Sequence, residues 1–307
     1  MTASALRRER LTVSLETFRR IANVALLLLV LIVFSGAGVR LTGSGLGCPD
    51  WPQCHGTLTP ELSSHVAMEY GNRLLSALVG IPCLALALMV WRVRPFRRDL
   101  VAPSLVLGAV VLLEGALGAA TVLLDLKWQV VIGHYLLAIV LIAAGTVLAW
   151  RVRRPAGAPP IENERRVVLG ARLLTAWGAL IITLGTFVTA AGPHAGGAGT
   201  GDVVERMTAI PLTTMIKFHG HPATGMAIFA ILVWAYARRR GASKALQGAL
   251  TAVCVLIALQ GALGLTQYHL ALPAELVWAH ASLAAVLWVA FVLSWLAAGR
   301  PARPAAR

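Results

Sequence analysis

Charge is the scarcest commodity in this 307-residue chain: Asp, Glu, Lys and Arg together make up 13%, and only 13 of those residues are acidic. Soluble domains run near a quarter charged, so a water-soluble globular fold is excluded. Cysteine is limited to four residues, which rules out a disulfide-built scaffold. What is abundant is apolar surface: 58% of residues are hydrophobic and mean hydropathy is +0.75. Eight runs are long enough to cross about 30 Å of hydrocarbon, near 18–40, 68–91, 101–123, 129–150, 170–190, 212–237, 245–268 and 275–298. The first is longer than a signal-peptide core and has no small-residue cleavage site after it, so it reads as a retained span.

A net charge of +14 invites a nucleic-acid reading, but the distribution argues otherwise. With eight crossings, 22 of the 27 Lys and Arg residues fall on one side, in the N-terminal tail, 92–98, 151–172, 238–244 and the C-terminal tail. The exceptions are Arg40, Arg73, Lys127, Arg206 and Lys217. This asymmetry is the positive-inside pattern, with both termini cytoplasmic in a cell membrane, and it gives the basic residues to topology and anionic lipid. Nucleic acid is not a partner.

Cys48 and Cys54 lie in CPDWPQC, in the first external loop, whereas Cys83 and Cys254 fall inside spans. Five residues with two prolines between two external cysteines suit a small disulfide loop; two free thiols or a metal pair are the other readings.

An internal repeat organises the rest. EGALGAAT around Glu114 corresponds to QGALGLTQ around Gln260, and VIGHYLLAIVL around His134 to VWAHASLAAVLW around His280, both at an offset of 146. The first two spans of each half correspond at 149, pairing RLTGSG with TAAGPH and EYGNRLL with FHGHPAT. Four spans per repeat leave both halves pointing the same way. The expected architecture is an all-α integral membrane protein of eight transmembrane helices, as two parallel-repeat four-helix bundles. The bundles cover 18–150 and 170–298; the cytoplasmic segments are a tail at 1–17, a basic linker at 151–169 and a tail at 299–307.

His134, His221 and His280 each lie some five to nine residues inside a span entered from outside, roughly 8–13 Å deep. Facing histidines at matched depth in a bundle suit a haem with two axial imidazoles, here His221 and His280. A proton relay is the alternative. The first half breaks the symmetry, with Asn72 where His221 stands in the second. An amide is a poor haem ligand, so a porphyrin beside His134 would keep an open position. Glu69, one turn before Asn72, reads equally as a helix N-terminal charge or as a general base.

RLTGSGLGCPDWPQC, EYGNR, GPHAG and the repeated span histidines together resemble the haem A synthase family, over about residues 20–298. The resemblance implies an oxidoreductase that converts a methyl group of haem O into a formyl group by successive hydroxylations, serving cytochrome oxidase, with haem B as cofactor. It implies His221 and His280 as haem B iron ligands, His134 and Glu69 in the substrate site (His134 on the substrate haem iron, Glu69 catalytic), and Cys48–Cys54 as the external pair. Haem O synthase, a farnesyltransferase, is the implied supplier, and an electron donor or acceptor a further partner. Asn72 departs from the histidine of many family members.

Other polar residues carry paired readings. Glu114 is costly in mid-span, and Arg73 or a buried water is its expected partner. Arg40 and Arg73 read as propionate-binding cofactor contacts or as interfacial lipid contacts. His194 caps the substrate pocket or occupies a turn. His55, His65, His219 and His269 receive no role, and Trp51, Trp128, Trp234 and Trp278 fit an aromatic belt. Two other functional classes compete. An electron-transfer cytochrome without catalysis wants histidine at 72, and a secondary transporter wants broken helices at the midplane.

Overall fold

In the computed structural model, which describes residues 12–197, 201 and 203–302, eight helices are long and apolar enough to cross a membrane. They are α1 (Leu15–Leu41), α2 (Ser64–Met89), α3 (Arg98–Leu123), α4 (Trp128–Arg153), α5 (Arg165–Ala191), α6 (Leu212–Arg239), α7 (Lys244–His269) and α8 (Ala274–Ala298). Seven contain their sequence-read spans, while α2 stops at Met89 and a 3-10 turn over Val90–Arg92 completes the run read as 68–91. Serine begins three of them: Ser14, Ser63 and Ser243 accept from the N–H of Thr17, Val66 and Leu246, satisfying donors the first turn leaves open. The basic residues Arg7, Arg8, Arg10, Arg303 and Arg307 lie outside the described residues.

Every helix packs on its neighbour in sequence within each half, α4 closes back on α1, and α8 closes back on α5. The halves meet through α1–α8, α4–α8 and α4–α5. Two indoles stitch that seam: Trp278 donates Nε1–H to the Phe34 carbonyl at 2.8 Å, and Trp288 to the Ile139 carbonyl at 2.9 Å. Inside the second half, Gly178 allows α5 to press on α8, since a Cβ there would come within 2.6 Å of the Phe291 ring. Leu27, Ile81, Leu88, Leu112, Ile228 and Leu265 are all more than half exposed on outward faces, as lipid contact demands. Two short parallel pairs tie chain ends together, β1 (Val13–Ser14) with β2 (Val93–Arg94) and β3 (Glu162–Asn163) with β4 (Arg300–Pro301).

The repeat is visible in a turn. Between α3 and α4, Asp125 and Leu126 have φ of 51° and 55°; between α7 and α8, Ala271 and Leu272 have 58° and 62°. Two consecutive non-glycine residues in the left-handed region cost on the order of 1 kcal/mol each, so the same strained turn in both halves is a specific signature. The capping bonds match too: Leu126 N–H reaches Thr121 O at 2.8 Å, and Leu272 N–H reaches Gln267 O at 2.7 Å. This turn fixes where α4 and α8 begin, and hence the level of His134 and His280.

Candidate haem-binding sites

His280 lies six residues into α8 and His219 seven residues into α6, about 10 Å below the helix starts. Their ring centroids stand 6.3 Å apart with planes at 74°. His219 donates Nδ1–H to the Ile181 carbonyl on α5 at 3.1 Å, which fixes the tautomer and leaves Nε2 free as a ligand. Nδ1 of His280 is buried without a partner. Each ring rests on a glycine: a Cβ at Gly185 would approach Cε1 of His219 to 3.1 Å, and one at Gly264 would approach Cε1 of His280 to 3.2 Å.

The sequence reading paired His280 with His221; the structure pairs it with His219 and leaves His221 exposed. The cause is register. His219 and His221 are two residues apart on α6, and two residues turn a helical side chain through about 200°, so only one of them can face α8.

In the first half His134 is six residues into α4, and its ring lies against Gly118, where a Cβ would sit 3.2 Å from Cε1. Glu114 was expected to pair with Arg73 or a water. Instead its Oε1 is 3.2 Å from Nδ1 of His134, and Oε2 has no partner. Asn72 is half-buried with Oδ1 unpartnered. Arg40, at the end of α1, donates to the Thr189 carbonyl at 2.7 Å and keeps a buried, unpartnered Nε.

Arg73 and Glu69 are employed by the loop between α1 and α2. The Arg73 guanidinium donates to the carbonyls of Cys48, Asp50 and Gln53 at 2.7–2.8 Å and to Oε1 of Glu69 at 2.6 Å. The other Glu69 oxygen accepts the Cys48 N–H at 2.8 Å, and the residue is 4% exposed. Both readings change accordingly. Four donor contacts already spent on the protein leave Arg73 no fork for a propionate, and both Glu69 oxygens are hydrogen-bonded, one to the loop at Cys48 and one to Arg73. Cys48 and Cys54 are joined in a disulfide with Cα atoms 4.7 Å apart. Asp50 accepts from the N–H groups of His55 and Gly56, and these bonds, Gly56 first, hold its carboxyl below the usual range. Nδ1 of His65 bonds to the buried Ser44 hydroxyl at 2.8 Å, and Nε2–H of His194 donates to the Leu272 carbonyl at 2.9 Å in the α7–α8 turn. His194 thus ties the segment after α5 to the α7–α8 turn. His269, the last residue of α7, makes a ring contact with Tyr268.

The donor set of the second half fits a haem. Two imidazoles supply two axial positions, and no group of three or more His, Cys, Asp or Glu side chains gathers for a bare metal ion among the described residues. A metal held by two histidines needs its other ligands from a macrocycle. The unpartnered Nδ1 of His280, the oriented Nε2 of His219 and the bare glycines under both rings suit that arrangement. In the first half a single histidine is backed by a carboxylate, with an amide on α2.

Comparison with known proteins supplies an independent line. A family model described as "Cytochrome oxidase assembly protein" matches residues 19–292. The chain is 35% identical over 178 residues to a protein named heme A synthase from Symbiobacterium thermophilum, covering 55% of this chain and 57% of that one. It is 31% identical over 136 residues to one of the same name from Bacillus pumilus, 43% of each chain, and 34% identical over 138 residues to one from Geobacillus thermodenitrificans, 44% and 42%. The chain thus spans about half the length of the curated relatives it matches.

Proposed function

Because this chain belongs to the cytochrome oxidase assembly family, we propose that it is a membrane-embedded haem A synthase that oxidises a methyl group of haem O to a formyl group. Two successive hydroxylations, each removing two electrons from that carbon, give a geminal diol that loses water to the aldehyde. The observation that carries the reading is the inequality of the two halves. His219 and His280 form a site closed by two imidazoles, suited to electron transfer, while His134 lies beside a carboxylate, Glu114, and α2 carries the amide Asn72, a set suited to a substrate that must enter and leave.

In the second half, His219 and His280 hold haem B, which when bound supplies one-electron storage beside the reaction. Ile181 and Gln260 hold the two histidine-bearing segments in register. In the first half, His134 receives the iron of haem O. Arg40, between the bundles with a free Nε, offers a cation to a propionate. The loop clamped by Arg73 and Glu69 and closed by Cys48–Cys54 covers the first half, where it limits water. The substrate comes from a haem O synthase, a farnesyltransferase, through the shared membrane, and a separate redox partner accepts or donates electrons according to the source of the inserted oxygen. The chain sits in the cell membrane with both termini cytoplasmic.

The test is pigment extraction after co-expression with a haem O synthase in a host lacking haem A. Haem A should accumulate with the intact chain and disappear with His134→Ala, the second-half spectrum remaining. Haem O alone with the intact chain refutes the reading.

A further inference from the structure

The repeat puts a polar residue 20 positions before each α4 and α8 histidine, and the two halves fill that place differently. In the second half, Gln260 donates Nε2–H to the backbone carbonyl of His280 at 2.9 Å, its Oε1 has no partner, and Nδ1 of the imidazole is left bare. In the first half Nδ1 of His134 makes no hydrogen bond either, but Glu114, with a side chain 15% exposed, brings Oε1 to 3.2 Å from it, the approach of an ion pair. A carboxylate inside a membrane span costs several kcal/mol unless it is paired, and His134 is its one ion-pair partner among the described residues. Its second oxygen, Oε2, is buried and unpartnered, so the group is not held there by a packing network.

We propose that Glu114 is a positioning residue that fixes His134 as the Nδ1–H tautomer and makes its Nε2 a stronger electron donor to the haem iron than the ring of His280 is to its own. The inference rests on the reading that His134 receives the substrate haem. A carboxylate has only acceptors, so the 3.2 Å approach closes into a hydrogen bond only when the ring nitrogen facing it carries the hydrogen. Nε2 is then the ligand atom, aimed by the same contact. An acceptor in low dielectric pulls density from the N–H bond into the ring, as second-sphere carboxylates do behind metal-bound histidines. Gln260 does not act this way, because its donor is spent on the backbone and its oxygen does not reach the ring. The consequence is chemical asymmetry beyond ligand count: the first half stabilises the oxidised state of its iron relative to an amide-backed histidine. It does so without a second protein ligand, which leaves the opposite face open.

The experiment uses full-length protein loaded with haem O and reads the iron–histidine stretching vibration by resonance Raman together with the midpoint potential of each centre. The comparison set is wild type, Glu114→Gln, Glu114→Asp, Gln260→Glu and His134→Ala. Expected for Glu114→Gln are a lower stretching frequency and a more positive potential at the His134-dependent centre, with the second-half low-spin spectrum unchanged as the folding control. Glu114→Asp should lie between. It also serves as the second variant should Glu114→Gln fail to accumulate. An unchanged frequency and potential in Glu114→Gln, or in Glu114→Asp where only that variant accumulates, overturns the inference while the substrate-site reading stands. Absence of any signal that depends on His134 in wild type removes the reading itself, and the inference with it. Gln260→Glu should shift the second-half centre to a more negative potential; a shift of the opposite sign also overturns the proposal.

Discussion

Arg40, on α1 of the first half, donates a 2.7 Å hydrogen bond to the carbonyl of Thr189, on α5 of the second. The contact lies where the two halves meet. The first half therefore contributes a guanidinium at the seam where the second contributes only a backbone oxygen. The halves also differ at polar positions near the histidines: Glu114 stands beside His134 where Gln260 stands beside His280, and α2 carries Asn72 where α6 carries His219.

The glycines beneath the imidazoles give the first prediction. Gly185→Ala and Gly264→Ala place a methyl 3.1 and 3.2 Å from the rings of His219 and His280, tighter than ordinary contact. Each should broaden or weaken the low-spin haem spectrum several-fold in haem occupancy. Gly36→Ala, whose Cβ meets nothing within 4 Å, should leave spectrum and occupancy intact. Absorption spectra at matched protein concentration decide it, and a silent Gly185→Ala variant would count against the packing described.

Arg73 gives the second. Its removal leaves the 4%-exposed Glu69 carboxylate with one backbone donor and frees three loop carbonyls. Breaking a buried pair from one side costs roughly 3–5 kcal/mol. Arg73→Ala should lower the unfolding temperature in detergent by several degrees and expose residues 49–57 to protease. Arg73→Lys should recover little, because a single ammonium cannot span four acceptors arranged for a planar fork. Protection equal to wild type in Arg73→Ala would contradict the clamp.

The third concerns pH and the loop disulfide. Neither thiol should alkylate before reduction, since Cys48 and Cys54 are joined. The Asp50 carboxyl is held below its ordinary range by N–H donors from Gly56 and His55, so its contribution to the folded loop is present above the unfolded carboxylate pKa. That contribution is lost as pH falls through the lower folded value. Reduction of the disulfide by a phosphine should therefore proceed at a constant rate from pH 5 to 8 and accelerate only in stronger acid. Asp50→Asn, which weakens both acceptors, should accelerate it throughout. A rate that climbs between pH 6 and 5 in wild type would contradict this.

Much of this organisation was legible in the residues. Hydropathy runs marked all eight helices, because spanning hydrocarbon leaves no room for a mixed pattern. The spacing and two prolines of CPDWPQC marked the disulfide. His280 and His134 were marked by repeating at one offset with their Glu114 and Gln260 partners. His219 was hidden because FHGHP holds two histidines two residues apart, and the string does not record which of them faces inward. The roles of Glu69 and Arg73 were hidden for a different reason. Their partners are backbone atoms of a loop some 20 residues away, and no side-chain pattern records a carbonyl.

The closed two-imidazole site of the second half is tested most directly by the low-temperature paramagnetic resonance signal of low-spin ferric haem in purified His219→Ala and His221→Ala proteins. Loss of that signal in His219→Ala, with a wild-type signal in His221→Ala, is the predicted result. The reverse, a signal that survives His219→Ala and vanishes with His221→Ala, would contradict the pairing of His219 with His280 on which the division of labour between the halves rests.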